Sequence, residues 1–208
     1  MPHGHLPHGQ PPADAPRTGL RERKRAKARR EIQSAALRLF REQGYEETTV
    51  QQIAEAAVIS ESTVYRHFPT KADIVMRDDL DPLFIDVFRA QPPELRAIDA
   101  IRETLGSVLS TLSDEDKVRQ RELLALMLSV PDLRAAMLDQ VASGVVLLAD
   151  ELAGRTGRLA TDPAVQALAG TVVGVGISAL YTLAQHNEAD LAILLDEALG
   201  ALPEALGL

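Results

Sequence analysis

Residues 48–75 read TTVQQIAEAAVISESTVYRHFPTKADIV and form the most informative segment of the chain. Ile53 and Ala54 give an apolar residue followed by a small one, as two short helices require where they touch. The remaining inward positions are Ala57, Ile59, Val64 and Phe68. This pattern predicts a helix-turn-helix, although any small helical hairpin would share its inward periodicity.

The same segment carries polar side chains on its outward side. Thr48 or Thr49 can cap the first short helix, and Ser60 can cap a second one over residues 61–67, before Pro69. Hydroxyl, imidazole and guanidinium groups on the second helix suit contacts with phosphates and with base edges in a major groove. The residues that face outward or edge-on are Glu61, Ser62, Thr63, Tyr65, Arg66 and His67.

A long basic helix is predicted before this segment, over residues 21–43. Seven Lys and Arg side chains lie between Arg21 and Arg30, where positive charge opposes the helix dipole and suggests an external anion. Residues 17–71 hold 12 basic and 7 acidic side chains, whereas residues 72–208 hold 10 and 22. Despite its net charge of −8, the chain is therefore predicted to bind a polyanion at one end.

The rest of the chain repeats the helical period, with no convincing strand. Helices are predicted over residues 71–90, with a kink or restart at Asp81–Pro82, then over 93–112, from Ser113, from Pro131, over 163–185 and over 188–206. Ser113 and Asp116 have the spacing of a capping box. The fold class is all-α with about nine helices, as an N-terminal three-helix domain over residues 20–75 and a C-terminal helical domain over 76–208.

The first 19 residues are rich in Pro, Gly and His and have no apolar period, so we expect a disordered leader. They lack the apolar region of a signal peptide, which predicts a cytoplasmic protein. His3, His5 and His8 could hold a metal ion loosely, but a solvated leader is favoured. The chain has no Cys, which excludes a disulfide scaffold, a thiolate zinc site and a cysteine nucleophile.

Together with AALRLFREQGY before it, the segment resembles the DNA-binding domain of the TetR family of transcriptional repressors, over about residues 25–75. The resemblance rests on Gly-Tyr after the first helix, the Thr-Thr-Val cap, Ile-Ala, and Thr-Val-Tyr-x-His-Phe followed by Lys. It implies a double-stranded DNA operator as the partner. It also implies phosphate or sugar contacts at Thr49, Thr63, Tyr65, His67 and Lys71, base reading at Gln51, and variable recognition positions at Glu61, Ser62 and Arg66. The basic first helix adds Lys27 and Arg30 to the predicted DNA contacts.

Two features of the segment leave its details open. The family usually has glycine in the turn, where this chain has Val58. A β-branched residue tolerates a positive φ poorly, so we expect a turn that is strained or differently shaped. The ring of Tyr65 could pack the helix pair instead of contacting DNA.

The C-terminal part resembles TetR-type regulators with an acyl-CoA-like ligand-binding domain, through DDLDPLF near residue 78, LSVPDLRAAMLDQ from Leu128 and ELAGRTGR from Glu151. The resemblance implies an effector pocket among the fifth to eighth predicted helices, for a small apolar or acyl-type ligand such as acyl-CoA. It implies a ligand-responsive repressor that releases its operator, needs no cofactor and forms a homodimer through its last two helices. The predicted interface comprises Val172, Val173, Gly174, Leu180, Leu194, Leu195 and Leu199.

Residues 163–185 carry no charge and include Gly170-x-x-x-Gly174, so a membrane span has to be weighed. Polar residues interrupt the stretch, at Gln166, Thr171, Ser178 and Thr182. No second span and no basic flank accompany it. A helix that packs against its neighbours or a second subunit is favoured, and we expect no membrane partner.

Other classes of function remain open from the residues alone. A helical enzyme would need a nucleophile beside His67 or His186, and none lies near either in the sequence, so we expect no enzyme. An acidic cluster could bind a divalent metal, but a solvated face with a helix cap is favoured for Asp78, Asp79, Asp81 and Asp86. The basic stretch could touch a membrane surface, in which case binding would not depend on base sequence.

Overall fold

The computed structural model describes residues 17–77, 80–186 and 188–205. Over these ranges it holds ten α-helices and no strand, which confirms the predicted all-α class. The helices are α1 (Arg17–Gln43), α2 (Val50–Ala56), α3 (Glu61–His67), α4 (Lys71–Met76), α5 (Leu80–Ala90), α6 (Ala97–Ser110), α7 (Asp114–Ser129), α8 (Pro131–Thr156), α9 (Pro163–Gln185) and α10 (Leu191–Ala205). Helix α1 begins inside the predicted leader, most of which lies outside the described residues.

The tenth helix arises close to the predicted kink. The sequence predicts one helix over residues 71–90, whereas the chain forms α4 and α5 and is extended at Arg77, with φ −89° and ψ 132°. Pro82 lies in the first turn of α5, where its missing N–H leaves no helical hydrogen bond unmade. The break therefore comes before Asp81–Pro82, because a proline can begin a helix but cannot continue one.

Two other helices begin later than the sequence predicts. The N–H of Leu95 donates to the carbonyl of Pro92 at 3.2 Å, which makes a turn where α6 is predicted to start. At α10, the carboxylate of Asp190 accepts from the N–H of Ala192 at 2.8 Å and so caps the helix at that point. In both cases local hydrogen bonds set the boundary.

Capping residues fix several helix ends. Ser113 and Asp116 form the predicted capping box at the start of α7. Asp162 caps α9 by accepting from the N–H of Ala164. Gly44 and Gly157 follow α1 and α8 with φ of 88° and 68°, in the left-handed region that favours glycine.

One apolar core joins the N-terminal helices to the C-terminal domain. From the N-terminal side its largest fully buried side chains are Phe68, Ile32, Ile53 and Ile74. Leu123 of α7 and Leu133 of α8 pack into the same cluster. The two predicted domains therefore share packed side chains at their junction.

A second core holds the C-terminal helices together. Helix α8 packs against α9, and α6 lies between α5 and α10. The buried side chains here include Phe88, Ile101, Leu152 and Leu199. An ion pair between Arg102 and Asp196, at 2.8 Å, links α6 to α10.

Candidate nucleic-acid interface

Residues 48–68 fold as predicted into two short helices, α2 and α3, joined by a turn. The side chain of Thr49 accepts from the N–H of Gln52, and the Gln52 side chain accepts from the N–H of Thr49 at 2.9 Å. Ser60 caps α3 by accepting from the N–H of Thr63 at 3.3 Å. Four of the six predicted inward residues are at most 2% exposed, at Ile53, Ala54, Val64 and Phe68, whereas Ala57 and Ile59 are half-buried. Their packing fixes α3 against α2.

The turn between α2 and α3 contains the strained residue that the sequence predicts. Val58 has φ 57° and is the one non-glycine residue with a positive φ in the described ranges. The N–H of Ile59 donates to the carbonyl of Ala54 at 3.0 Å, so the chain reverses tightly around Val58. The Val58 side chain is 89% exposed, and its packing therefore does little to offset the strain.

The exposed face of α3 holds most of the predicted reading residues. Glu61, Ser62 and Arg66 are exposed, and Tyr65 is 47% exposed, so its ring is not mainly packed between helices. Arg66 donates to the hydroxyl of the half-buried Thr63 at 3.4 Å. Hydroxyl and guanidinium groups thus line one surface, with donors directed away from the core.

The start of α2 extends this surface. Thr49 and Gln51 are exposed, and the Gln51 amide donates to Glu55 at 3.1 Å. Gln43, at the end of α1, donates to the side chain of Gln52 at 2.9 Å. The end of α1 and the start of α2 are therefore tied together by side chains that sequence reasoning did not single out.

The predicted contacts on α1 are exposed, but each lies near an acidic group. The ammonium of Lys27 is 3.7 Å from Glu31, and the guanidinium of Arg30 is 4.0 Å from Asp116 of α7. Exposed ion pairs contribute only about 0–1 kcal/mol. A DNA phosphate can therefore compete for both cations.

Two predicted contact residues are turned inward. His67 is buried, with 9% of its surface exposed. The ammonium of Lys71 donates to the backbone carbonyls of Tyr45 at 2.8 Å, Thr48 at 3.1 Å and Glu46 at 3.3 Å. It also lies 4.2 Å from the centre of the Tyr45 ring. Neither side chain belongs to the exposed face of α3.

Gln33 is a structural residue that sequence reasoning missed. Its buried side-chain amide donates to the carbonyls of Ile74 at 3.1 Å and Arg77 at 2.9 Å. These groups belong to the end of α4, where carbonyls lack helical partners, so Gln33 fastens α1 to α4. Its place on the apolar side of α1, next to Ile32, was the available signal, because a buried amide needs partners.

Asp116 links α7 to α1. It accepts from Ser113 within the capping box and from Arg119, and it lies 4.0 Å from Arg30. Burial alone would raise the pKa of Asp116, but the hydrogen bonds from Ser113 and Arg119 outweigh it and lower that pKa. Asp116 thus stays charged beside the basic helix.

Family comparisons agree with this geometry. The family model for bacterial regulatory proteins of the tetR family matches residues 32–77, and that for the MftR C-terminal domain matches residues 95–207. The chain belongs to the TetR family. The predicted resemblance is therefore confirmed over both domains, and the chain is a DNA-binding transcriptional regulator.

Individual relatives of this TetR-family chain are also regulators. The Mycobacterium tuberculosis protein named as mycofactocin biosynthesis transcriptional regulator MftR is 28% identical over 191 residues, covering 89% of this chain and 92% of that protein. The HTH-type transcriptional regulator TcmR of Streptomyces glaucescens is 30% identical over 148 residues, covering 68% of this chain and 62% of that protein. FadR of Thermus thermophilus, a TetR-family repressor solved with lauroyl-CoA, has a TM-score of 0.53 at 24% identity, covering 86% of this chain and 94% of that one. The structural likeness shows the fold, and the comparisons give no support to an enzyme, a metal-binding protein or a membrane-surface module.

The TetR-family chain has a cavity of about 250 Å³ where α6, α7, α9 and α10 meet. Leucines supply most of its apolar lining, at Leu109, Leu112, Leu183 and Leu191. Helix α7 contributes the polar side, with Lys117, Gln120 and Arg121. Lys117 lies 3.4 Å from Asp190, whose pKa is lowered, chiefly by the hydrogen bond from the N–H of Ala192. The cavity is thus apolar with a cationic edge.

Helix α9 has a face that one subunit leaves exposed or half-buried. It is long and apolar enough to cross a membrane by length and composition, yet only 17% of its most apolar 18-residue window is buried in the subunit. Gly174 is exposed, and the half-buried residues of the predicted interface are Val173, Leu180 and Leu194. A Cβ at Gly170 or Gly174 would meet no atom within 4 Å.

Three residues of the predicted interface lie inside the subunit instead. Val172, Leu195 and Leu199 are 8%, 6% and 1% exposed. Each occupies the inward side of its helix, in the C-terminal cores. Their side chains support the predicted interface from beneath.

Of the acidic residues weighed as metal ligands, Asp86 is the one whose side chain lies in the described part of the structure. Asp86 is exposed on α5, and Asp78 and Asp79 lie outside the described residues. Within the described ranges, no group of three or more His, Asp or Glu side chains is placed to hold a metal ion.

Proposed function

We propose that the protein is a homodimeric repressor that binds a double-stranded DNA operator and releases it when a small acyl-type effector occupies the C-terminal cavity. The observation that carries the proposal is the exposed polar face of α3 beside the basic helix α1, in a chain of the TetR family. DNA is the target, so we place the site of action in the cytoplasm.

For DNA reading, α3 enters the major groove. Glu61, Ser62 and Arg66 reach base edges, and Gln51 reads from the start of α2. Phosphate contacts come from Thr49, Thr63, Tyr65, Lys27 and Arg30. Phosphate contacts position the protein, whereas base contacts specify the sequence. Two such subunits read half-sites about one helical turn, ~34 Å, apart.

For the dimer, α9 and α10 pack against their symmetry mates. The support is the apolar helix α9, most of whose residues one subunit leaves exposed or only half-buried. A twofold interface would bury this face on both subunits. Gly170 and Gly174 have open space above them, which lets a second backbone approach.

For the effector, the leucine-lined cavity takes an acyl chain and α7 takes the anionic head. The volume of about 250 Å³ lies below the ~300–1,000 Å³ of drug-sized sites, so the cavity suits the chain rather than a whole acyl-CoA. An anion beside Lys117 competes with Asp190 for the ammonium. The lauroyl-CoA that FadR holds in its solved structure provides a probe of the same chemical class.

The experiment begins with the DNA that the purified protein retains from genomic fragments. Sequencing should reveal a shared two-fold site, and gel-shift titration then measures release by lauroyl-CoA, with CoA alone as the control. Lys117→Gln should bind the site normally and need more lauroyl-CoA for release. The matched variant Arg158→Gln, which removes an exposed cation that does not line the cavity, should behave as wild type. A failure to enrich any sequence would refute DNA reading, and release by CoA alone would refute the acyl effector.

A further inference from the structure

We propose that Lys71 is a positioning residue of the DNA-reading head: its ammonium holds the loop between α1 and α2 in place and makes no phosphate contact. The inference rests on the DNA-binding function. It assigns Lys71 a role different from the phosphate contact that the family resemblance implies.

The hydrogen bonds of Lys71 account for its whole donor capacity. An ammonium has three N–H donors, and the structure gives them three backbone carbonyls, of Tyr45, Glu46 and Thr48, at 2.8, 3.3 and 3.1 Å. The ring of Tyr45 lies 4.2 Å away and adds a cation–π contact. A phosphate could be reached only by giving up one of these carbonyls.

The loop that Lys71 holds leads directly into the reading surface. Thr48 is 1% exposed, and its hydroxyl donates to the carbonyl of Gly44 at 2.7 Å. The next residue, Thr49, caps α2, and Gln51 follows two positions later. Because three carbonyl dipoles point at one ammonium, loss of that cation leaves them facing one another. The loop must then rearrange, and it takes Thr49 with it.

The geometry requires lysine rather than any cation. The three carbonyls belong to residues within one short loop, and a compact ammonium with diverging donors can meet all three. Arginine presents its donors in one plane and needs more room. At a phosphate, in contrast, arginine is at least as good a ligand as lysine. The Lys71→Arg variant therefore separates a positioning role from direct contact.

The first test compares three variants of the full-length protein on the enriched operator, over a range of salt concentrations. Lys71→Met and Lys71→Arg should both bind more weakly, on the order of tenfold or more. Lys71→Arg should keep the wild-type salt slope. The control Lys27→Met removes an exposed cation from each subunit and should lower the slope by about 1.8, which corresponds to one lost phosphate contact per subunit of the dimer. Lys71→Arg with wild-type affinity would overturn the proposal, whereas a wild-type protein without operator affinity would refute the function itself.

The second test uses the wild-type protein, so it does not depend on whether a variant folds. The ε-ammonium of Lys71 should give an NMR signal protected from exchange with water, and that signal should be unchanged when operator DNA is added. In Lys71→Arg, the amide protons of residues 45–49 should lose protection from exchange with water. The comparison is made under conditions in which a thermal unfolding curve shows that the domain is still folded. A large shift of the ammonium signal on DNA binding, or unchanged loop protection in the variant, would overturn the proposal.

Discussion

Replacing Val58 with glycine should stabilise the protein by about 0.5–1 kcal/mol. An L-residue in the left-handed region costs about 1–2 kcal/mol, and a β-branched residue is expected at the upper end. Glycine also raises the conformational entropy of the unfolded chain, which lowers the free energy of unfolding by about 0.5–1 kcal/mol. Lost packing adds little, because Val58 is 89% exposed and even complete burial of valine is worth only about 1.5–3 kcal/mol. The relief of strain therefore exceeds the two losses.

Urea unfolding of the full chain measures the change, with three comparison variants. Val58→Asn should also stabilise, since asparagine tolerates this conformation, and Val58→Ala should gain less than glycine, because the Cβ clash persists. Ala57→Gly is the matched control: Ala57 has φ −86° and ψ −2°, so glycine there should destabilise by about 0.5–1 kcal/mol. Equal gains for alanine and glycine at position 58, or a loss with glycine, would refute the reasoning from φ.

Four further predictions concern DNA binding, the dimer and acid stability. Operator affinity should fall by orders of magnitude between about 50 and 200 mM salt, and a salt-independent affinity would contradict the phosphate contacts. Thr63→Ala should weaken binding to all sequences alike, whereas Arg66→Ala should change the consensus selected from random DNA; an unchanged consensus would remove Arg66 from base reading. Gly174→Leu should weaken the dimer by about 1–3 kcal/mol per site without a clash inside the subunit, and sedimentation measures the change. The control Gly154→Leu, at an exposed position, should leave the dimer unchanged. A wild-type protein that sediments at its monomer mass of 22.5 kDa would contradict the dimer. The pKa of Asp116 is lowered in the folded chain, so its contribution to the free energy of unfolding is complete above the unfolded pKa of about 3.9 and is lost as pH falls through the folded pKa. Asp116→Asn should therefore make the free energy of unfolding less dependent on pH in the acid range.

The DNA-reading segment was predictable because its determinants are local. Thr49 and Ser60 lie within three residues of the N–H groups that they accept from, and the buried pairs Ile53–Ala54 and Val64–Phe68 each lie within one short helix or at its end. The strain at Val58 was predictable for the same reason, since the turn geometry of a helix-turn-helix fixes its φ. A short window of sequence contains all of this information.

The interactions that fasten the reading head could not be predicted in this way. Gln33 reaches carbonyls 41 and 44 residues away, and Lys71 reaches carbonyls 23 to 26 residues away. Their partners are backbone oxygens, which every residue carries, so no residue type at the other end marks the contact. The sequence shows that residue 71 is a cation, but only the tertiary fold determines whether its ammonium binds a phosphate or the carbonyls of a loop.

Helix α7 contacts both the cavity and the basic helix α1, so it can couple effector binding to DNA binding. One side of it, with Lys117 and Gln120, lines the cavity, while Asp116 and Leu123 face α1 across the shared core. An anion that draws Lys117 away from Asp190 would remove one of the contacts between α7 and the start of α10, and the hydrogen bond from Arg121 to the carbonyl of Ala189 would remain. The ion pair with Arg30 would carry any shift of α7 to the basic helix. By linkage, operator DNA that engages Arg30 must weaken effector binding by the same factor as the effector weakens DNA binding. Arg30→Gln removes the ion-pair part of this connection while leaving the cavity and the packing of Leu123 intact, and it should therefore reduce both effects by the same factor.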